Sequence, residues 1–121
     1  MYYFEDVMAE ETARAGMRAV LGQTVIGFPV PDAQSVATAL ARTEAFLERF
    51  AGHPLVVPAV APHGTYTLTP DDLVACRELA DRHGAPLLIH LSETVAEVED
   101  VQDRFGATPV CLLYTSDAAD E

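Results

Sequence analysis

The sequence predicts an α/β fold with parallel strands, and three observations support this. Three short apolar runs do not alternate with polar residues, which is typical of strands buried on both faces. Helical patterns separate these runs, so consecutive strands can point the same way. The length of 121 residues suits one small domain. A doubly wound sheet and part of a (β/α)₈ barrel both fit this order, although a complete barrel needs about 250 residues.

The first half of the chain predicts two helices around one strand. Residues 2–15 place apolar side chains at helical spacing, and Gly16 is a natural residue to end that helix. Residues 17–22 are short, apolar and end in glycine, as expected of a buried strand. A loop with glycine and two prolines over residues 23–32 leads into a long helix over residues 33–50.

A second strand and a well-marked helix follow. Residues 54–62 are apolar and predict the strand. Thr69 is a favourable N-cap, and Pro70 suits the first position of a helix that reaches His83.

The last predicted unit begins with the apolar run over residues 86–91, which we interpret as the third strand. Ser92 or Thr94 caps a final helix that reaches about Phe105, where a glycine follows. The predicted order is therefore helix–strand–helix–strand–helix–strand–helix.

Composition excludes several classes of function. The formal net charge is −12, from 19 acidic and 7 basic residues, which argues against nucleic acid or an anionic membrane as a partner. No stretch approaches eighteen uninterrupted apolar residues. Cys76 and Cys111 do not make a disulfide framework, and Cys76 fits a buried apolar position in a helix. The first residues lack the basic region of a signal peptide, so we expect a cytoplasmic protein.

Polar residues stand where the predicted strands end. Gln23 follows the first strand, His63 follows the second, and His90 with Glu93 ends the third. Function collects at the carboxyl ends of parallel strands. His63 and His90 are 27 residues apart, about one strand–helix unit, so we expect them at the same edge. Two imidazoles and a carboxylate there predict metal-assisted hydrolysis, with zinc or iron as the metal.

The same residues have a simpler interpretation. A histidine at a strand end is commonly a hydrogen-bonding residue, and His63 before Gly64 can serve only to shape a turn. Glu93 suits the first turn of a helix, where the dipole favours an acid. Gln23 by itself is uninformative. On this interpretation the chain is a small, non-catalytic α/β binding or interaction module.

Two longer motifs carry a resemblance. The stretches APHGTYTLTPDDL (residues 61–73) and PLLIHLSET (residues 86–94) resemble the metal-dependent amidohydrolase superfamily. More narrowly, they resemble the 5-methylthioadenosine/S-adenosylhomocysteine deaminases and their chlorohydrolase-like relatives. GMRAVLG and FPVPDA extend the resemblance, which runs from about residue 2 to residue 110. It implies a (β/α)₈ barrel, of which this chain holds about the third to the fifth strands.

The resemblance implies roles for individual residues. His90 matches a ligand of one divalent metal ion, zinc or iron, at the carboxyl-terminal rim of the barrel. Glu93 matches a residue that contacts substrate and moves a proton between water and a ring nitrogen, and His63 matches a substrate-binding histidine. Some members have an arginine near Gln23 that helps to hold substrate. Glutamine stands here, which argues against recognition of an acidic substrate tail in the same way.

The implied reaction is hydrolytic removal of an amino group from an adenosine derivative, such as S-adenosylhomocysteine or 5-methylthioadenosine. A metal-bound hydroxide attacks the ring carbon that carries the amino group, and ammonia leaves. The alternative within the superfamily is hydrolysis of another ring: guanine, a pterin, cytosine or a triazine. The expected partner is a small molecule in either case, and the parent enzyme can be a homo-oligomer.

The resemblance is incomplete, because the paired histidines of the family's first strand, a later histidine and an aspartate of the eighth strand have no match here. We therefore expect residues 1–110 to be a fragment of an amidohydrolase barrel domain, inactive and weakly stable by itself. Residues 111–121, CLLYTSDAADE, resemble an in-frame translation of a sequencing adapter and predict a non-native tail. A short, acidic, disordered C-terminal tail is the alternative.

Overall fold

The structure, a computed structural model, describes residues 3–117. Helices and strands follow one another within these residues in the order α1–β1–α2–β2–α3–α4–α5. Their bounds are α1 Glu5–Arg14, β1 Ala19–Val25, α2 Val36–Arg49, β2 Val56–Pro62, α3 Pro70–His83, α4 Val95–Phe105 and α5 Pro109–Asp117. No helix in this part of the chain is long and apolar enough to cross a lipid bilayer.

The two strands β1 and β2 pair in parallel, which confirms the predicted α/β class with parallel strands. The register runs from Ala19 opposite Val56 to Val25 opposite Pro62. Parallel neighbours need a long crossover, and α2 provides it. Helix α2 packs on β1 and α3 packs on β2, so both strands have a helical cover.

The predicted third strand is wrong as a continuous element. Residues 86–91, the extended segment, run beside β2 and form two isolated parallel bridges: Leu87 pairs with Val60 of β2, and His90 pairs with Gly64 in the loop after β2. The N–H of Val60 donates to the Pro86 carbonyl at 2.9 Å, and the N–H of Leu88 donates to the Val60 carbonyl at 2.9 Å.

A proline interrupts this pairing. In a parallel ladder, the next donor along β2 after Val60 is residue 62, two positions further on. That residue is Pro62, which has no N–H to donate. The chain resumes the pairing one residue later, where the N–H of His90 donates to the His63 carbonyl at 3.2 Å.

The first strand is longer than predicted. It continues to Val25, three residues beyond Gly22, so Gln23 lies inside the strand and not after it. A buried polar side chain is tolerated there because its hydrogen bond is satisfied. The side-chain amide of Gln23 donates to Oδ2 of Asp32 at 3.1 Å, and Gln23 is only 1% exposed.

Capping residues decide where α2 and α3 begin. Helix α2 begins at Val36, three residues after the predicted start, because Ser35 caps it and accepts a hydrogen bond from the Thr38 N–H. Helix α3 begins as predicted, with Thr69 as the N-cap and Pro70 in the first turn.

The start and end of α4 also follow capping rules. Of the two predicted caps it is Thr94 that accepts a hydrogen bond from the Glu97 N–H, at 3.1 Å. Ser92 instead has a positive φ of 54°, which is uncommon for a residue other than glycine. The helix ends at Phe105 as predicted, and Gly106 follows with a φ of 69°.

The core lies between the two strands and the helices α2 and α3. Its buried members are Val25, Ile26, Val30, Ala33, Ala39, Leu47, Val60, Leu68, Leu73, Cys76, Leu79 and Ala80. Cys76 is fully buried, as predicted. A smaller cluster joins α1 to the end of α2 and contains Ala9, Phe46, Phe50 and Val56. Burial of this kind stabilises a domain by about 25 cal/mol for each Å² of apolar surface removed from water.

The predicted tail lies mostly in α5. Residues 111–117 form the larger part of this helix, and residues 118–121 lie outside the described residues. The non-native origin of the segment stays a prediction.

Candidate functional site

The candidate site lies where β2 and the extended segment end side by side. His63 follows β2 directly, and His90 pairs with Gly64 at the second bridge. The two imidazole rings have centroids 5.4 Å apart and meet edge to face at 73°. The N–H of His63 also donates to the Val25 carbonyl at 2.9 Å, so the end of β1 lies at the same edge. The predicted convergence of the two histidines at one edge is confirmed.

His63 is held in place by its own loop. Its Nδ1 lies 3.1 Å from Oγ1 of Thr67, and its ring packs edge-on against Tyr66 with centroids 5.6 Å apart. Partial burial lowers the pKa of His63, the nearby charge of His90 lowers it further, and Glu93 opposes both effects. The neutral imidazole is therefore favoured, and a neutral imidazole can both donate and accept a hydrogen bond.

Glu93 and His90 are both exposed on this edge. The Tyr66 hydroxyl donates to Oε2 of Glu93 at 3.2 Å. Partial desolvation raises the pKa of Tyr66, and the hydrogen bond to Glu93 adds to the effect, so the phenol keeps its proton and remains a donor. Tyr66 was missed from the sequence, because nothing in a loop tyrosine indicates which carboxylate its hydroxyl will reach.

A second carboxylate, that of Glu97, is buried beneath the exposed carboxylate of Glu93. Glu97, in the first turn of α4, is only 3% exposed. Its Oε1 accepts from Oγ1 of Thr65 at 2.7 Å and from the N–H of Ser92 at 3.2 Å, and its Oε2 accepts from the N–H of Glu93 at 2.6 Å. Glu97 was also missed, since Thr94-x-x-Glu97 is a capping-box pattern and predicts only a local role.

Gln23 does not direct its amide toward the histidines. That amide donates to Asp32, whose Oδ2 also accepts from the N–H of Phe4 at 2.9 Å. Arg42 lies 4.0 Å from the same oxygen. Gln23 therefore belongs to a buried polar network that ties the start of α1 to β1.

The side chains at this edge provide some, but not all, of the ligands that a metal ion needs. His90 presents an exposed imidazole beside a second one, which is the ligand chemistry that zinc and iron accept. Within residues 3–117, however, no group of three or more His, Cys, Asp or Glu side chains could hold a metal ion. The described residues therefore offer the two imidazoles of His63 and His90 at this edge and no complete metal site.

An apolar groove lies elsewhere, between α3, the extended segment and α5. Its lining includes Pro62, Leu73, Leu87, Ile89, Leu91 and Leu113, and neither histidine is among the lining residues. The groove is therefore separate from the candidate site.

Comparison with known proteins identifies the family. The sequence model of the amidohydrolase family matches residues 2–121, which is nearly the whole chain. The chain belongs to the amidohydrolase family. The resemblance carried by the two histidine motifs is thereby confirmed.

Amidohydrolase relatives of known name match the chain over most of its length. A 5-methylthioadenosine/S-adenosylhomocysteine deaminase from Syntrophobacter fumaroxidans is 46% identical over 113 residues, covering 93% of this chain and 26% of that protein. The deaminase of the same name from Aquifex aeolicus is 40% identical over 110 residues, covering 91% of this chain and 26% of that protein. The chain thus spans about a quarter of the length of these relatives.

A solved amidohydrolase structure shares the fold of this segment. The crystal structure of an adenosine deaminase from Xanthomonas campestris, with bound zinc, superposes with a TM-score of 0.94 and is 32% identical, covering 97% of this chain and 27% of that one. Its agreement over nearly all of this chain shows that the segment has the fold found in the corresponding part of that structure.

Proposed function

We propose that this chain is part of a metal-dependent aminohydrolase that removes the amino group from an adenosine derivative, such as S-adenosylhomocysteine or 5-methylthioadenosine. The observation that carries the proposal is the cluster of His63, His90 and Glu93 at one edge, with the two imidazoles 5.4 Å apart. The identity of 46% to a deaminase of this name supports the choice of substrate.

His90 is the proposed metal ligand, because its imidazole is exposed at the edge where the strands end. A bound divalent metal, zinc or iron, supplies Lewis acidity that lowers the pKa of a water molecule to near neutrality. A stable site needs several ligands, and residues 3–117 hold no group of three. We propose that the other ligands lie in a longer parent chain, in which this segment contributes about strands three to five of a (β/α)₈ barrel.

Glu93 is the proposed proton carrier. Its carboxylate is exposed toward the edge and is oriented by the Tyr66 hydroxyl, so an oxygen is available to a water molecule or substrate. In the reaction, water adds to the ring carbon that bears the amino group, Glu93 accepts a proton from that water, and it returns the proton to the ring nitrogen. The second proton of the added water, now on the hydroxyl, then moves to the exocyclic amino nitrogen. The bond between the ring carbon and that nitrogen breaks, and the products are ammonia and the ring carbonyl.

His63 is the proposed substrate-binding residue. Partial burial favours its neutral form, and contacts with Thr67 and Tyr66 fix its ring beside His90. A neutral imidazole in this position can hydrogen-bond a heteroatom of the purine ring or ribose without introducing a charge.

The test is ammonia release by the full-length protein that carries this sequence, assayed with S-adenosylhomocysteine, 5-methylthioadenosine, guanine, a pterin, cytosine and a triazine. We expect activity on the two adenosine derivatives, and loss of activity in Glu93→Gln. Activity confined to rings that are not nucleosides would contradict the proposed substrate. The 121-residue chain, assayed in parallel, should be inactive, because residues 3–117 hold no group of three side chains that could bind the metal.

A further inference from the structure

We propose that Glu97 is a positioning residue, whose buried carboxylate fixes the backbone of Ser92 and Glu93 and thereby aims the Glu93 side chain at the candidate site. This inference rests on the proposed function, since Glu93 is taken there as the proton carrier. Glu97 itself contacts backbone and Thr65, and we assign it no contact with substrate.

The contacts of Glu97 join two loops. Thr65 belongs to the loop that follows β2 and His63, whereas Ser92 and Glu93 belong to the loop between the extended segment and α4. One carboxylate accepts all three hydrogen bonds, at 2.7, 3.2 and 2.6 Å. Because Glu97 is 3% exposed, water does not compete effectively for these oxygens, and each bond contributes more than it would at the surface.

The contacts act at the one strained residue of the loop. Ser92 has a φ of 54°, in the left-handed region that a residue other than glycine adopts only at an energetic cost. Its N–H and that of Glu93 are both held by Glu97. The carboxylate therefore stabilises the bend that the chain must make between the extended segment and α4.

The bend decides where Glu93 points. Side chains alternate along an extended segment, so residues 90 and 93 would lie on opposite faces if the extension continued. The turn at Ser92 breaks that alternation, and Glu93 meets the Tyr66 hydroxyl at 3.2 Å, on the side where Tyr66 packs against His63. Neighbouring residues thus make two parallel links between the loops, Thr65 to Glu97 in the interior and Tyr66 to Glu93 at the surface.

A simpler role for Glu97 is that of an ordinary capping-box acid, which accepts from the N–H of its own N-cap residue. The observed partners differ from that pattern, because the carboxylate accepts from Ser92 and Glu93 and not from Thr94. A purely stabilising role also predicts a different kinetic result. It would lower the amount of folded enzyme without changing the turnover number of the molecules that remain folded.

The experiment uses the full-length protein with the substitutions Glu97→Gln and Thr65→Val, and Glu99→Gln as the matched control. Glu99 is an exposed acid on the same helix. Deuterium uptake by the peptide containing residues 91–95, metal content, kcat and KM are measured for each variant. In Glu97→Gln we expect faster exchange in that peptide and a kcat lower by about 10–100-fold, the range typical of supporting residues. KM and metal content should stay within about twofold of the parent values.

Thr65→Val removes one of the three donors and keeps the side-chain volume, so it should shift exchange and kcat in the same direction by a smaller factor. It also keeps the test decisive if Glu97→Gln does not fold. Exchange and kcat equal to those of Glu99→Gln in both variants would overturn the inference, and so would a loss of metal in proportion to the loss of kcat. If the unsubstituted protein releases no ammonia, the proposed function fails, and the exchange measurement still decides whether Glu97 holds the loop.

Discussion

The hydroxyl of Tyr66 donates to Oε2 of Glu93 at 3.2 Å, and this bond links the loop after β2 to the loop before α4. Tyr66 also packs against the ring of His63, whose other neighbour is His90. A chain of contacts therefore runs from the proposed proton carrier through a phenol and one imidazole to the proposed metal ligand. Five predictions rest on this arrangement and on the packing beneath it.

Tyr66→Phe should lower kcat/KM without unfolding the protein. The substitution removes the hydroxyl that orients Glu93 and keeps the ring that packs on His63. One hydrogen bond contributes a net free energy of about 0.5–1.5 kcal/mol, so its loss should lower kcat/KM by roughly 2–10-fold. Tyr3→Phe, which removes an exposed hydroxyl before α1, is the control. Equal kinetics for both variants of the full-length enzyme would contradict a role for the Tyr66 hydroxyl.

His90→Ala and His63→Ala should differ in metal content. Loss of a direct ligand should weaken metal binding by more than about tenfold, the lower limit for residues that merely support ligands. His63→Ala should retain the metal and raise KM, because its proposed role is substrate binding. Metal analysis of the purified full-length protein checks this, with His83→Ala as control, since His83 pairs with Glu44 at the surface of α3. Unchanged metal content and activity in His90→Ala would favour the non-catalytic binding module.

Cys76 and Cys111 should react very differently with iodoacetamide at pH 8. Burial raises the pKa of the Cys76 thiol to about 12, so roughly one molecule in 10⁴ carries the reactive thiolate at that pH. Cys111 is exposed. Mass spectrometry of the 121-residue chain should show modification of Cys111 first and of Cys76 only in denaturant. Equal rates without denaturant would show that the isolated chain does not hold this core.

The same shift in pKa has a consequence for stability at alkaline pH. An unfolded thiol ionises near pH 8.5, whereas the folded one stays neutral to about pH 12. The unfolded state therefore loses its proton first, and the contribution of Cys76 to stability, complete below about pH 8.5, declines as the pH rises through this window. Cys76→Ala should flatten the dependence of the urea midpoint on pH between 8.5 and 10.

Gly27→Ala should destabilise the chain more than Gly52→Ala. A Cβ on Gly27 would lie 2.1 Å from the carbonyl oxygen of Thr67, which is backbone and cannot rotate away. The required shift should cost about 1–3 kcal/mol and disturb the loop that carries His63. A Cβ on Gly52 would have no other atom within 4 Å. Its φ is 69°, however, so alanine there should lower the free energy of unfolding only by the backbone strain, about 1–2 kcal/mol. Urea denaturation compares the two, and a smaller loss at Gly27 would contradict the close packing.

Much of the fold could be predicted because its signals are local. The cap at Thr69, the proline that follows it and the ends of α3 and α4 depend on neighbouring residues, and the structure agrees with them. The third strand could not be predicted correctly. Its apolar run is strand-like, but the pairing depends on which residue of β2 lies opposite, and that residue is Pro62.

The residues of the candidate site could also be predicted only in part. His63, His90 and Glu93 were predicted because strand ends collect functional residues, and the structure brings the two histidines together. Tyr66 and Glu97 were not predicted, because Tyr66 bonds Glu93, 27 residues away along the chain, and Glu97 bonds Thr65, 32 residues away. Gln23 was predicted at the end of a strand and lies within it instead, bound to Asp32.

The sequence by itself determined the α/β class, the order of most elements and the family, because apolar periodicity, capping residues and motifs are properties of neighbouring positions. Only the tertiary structure decided that the third segment pairs at two points and that Glu97 joins Thr65 to Ser92 and Glu93. Those outcomes depend on register and on contacts between distant loops. A carboxylate in a helix's first turn has several donors within reach, and the fold selects among them by which loop it packs against that helix.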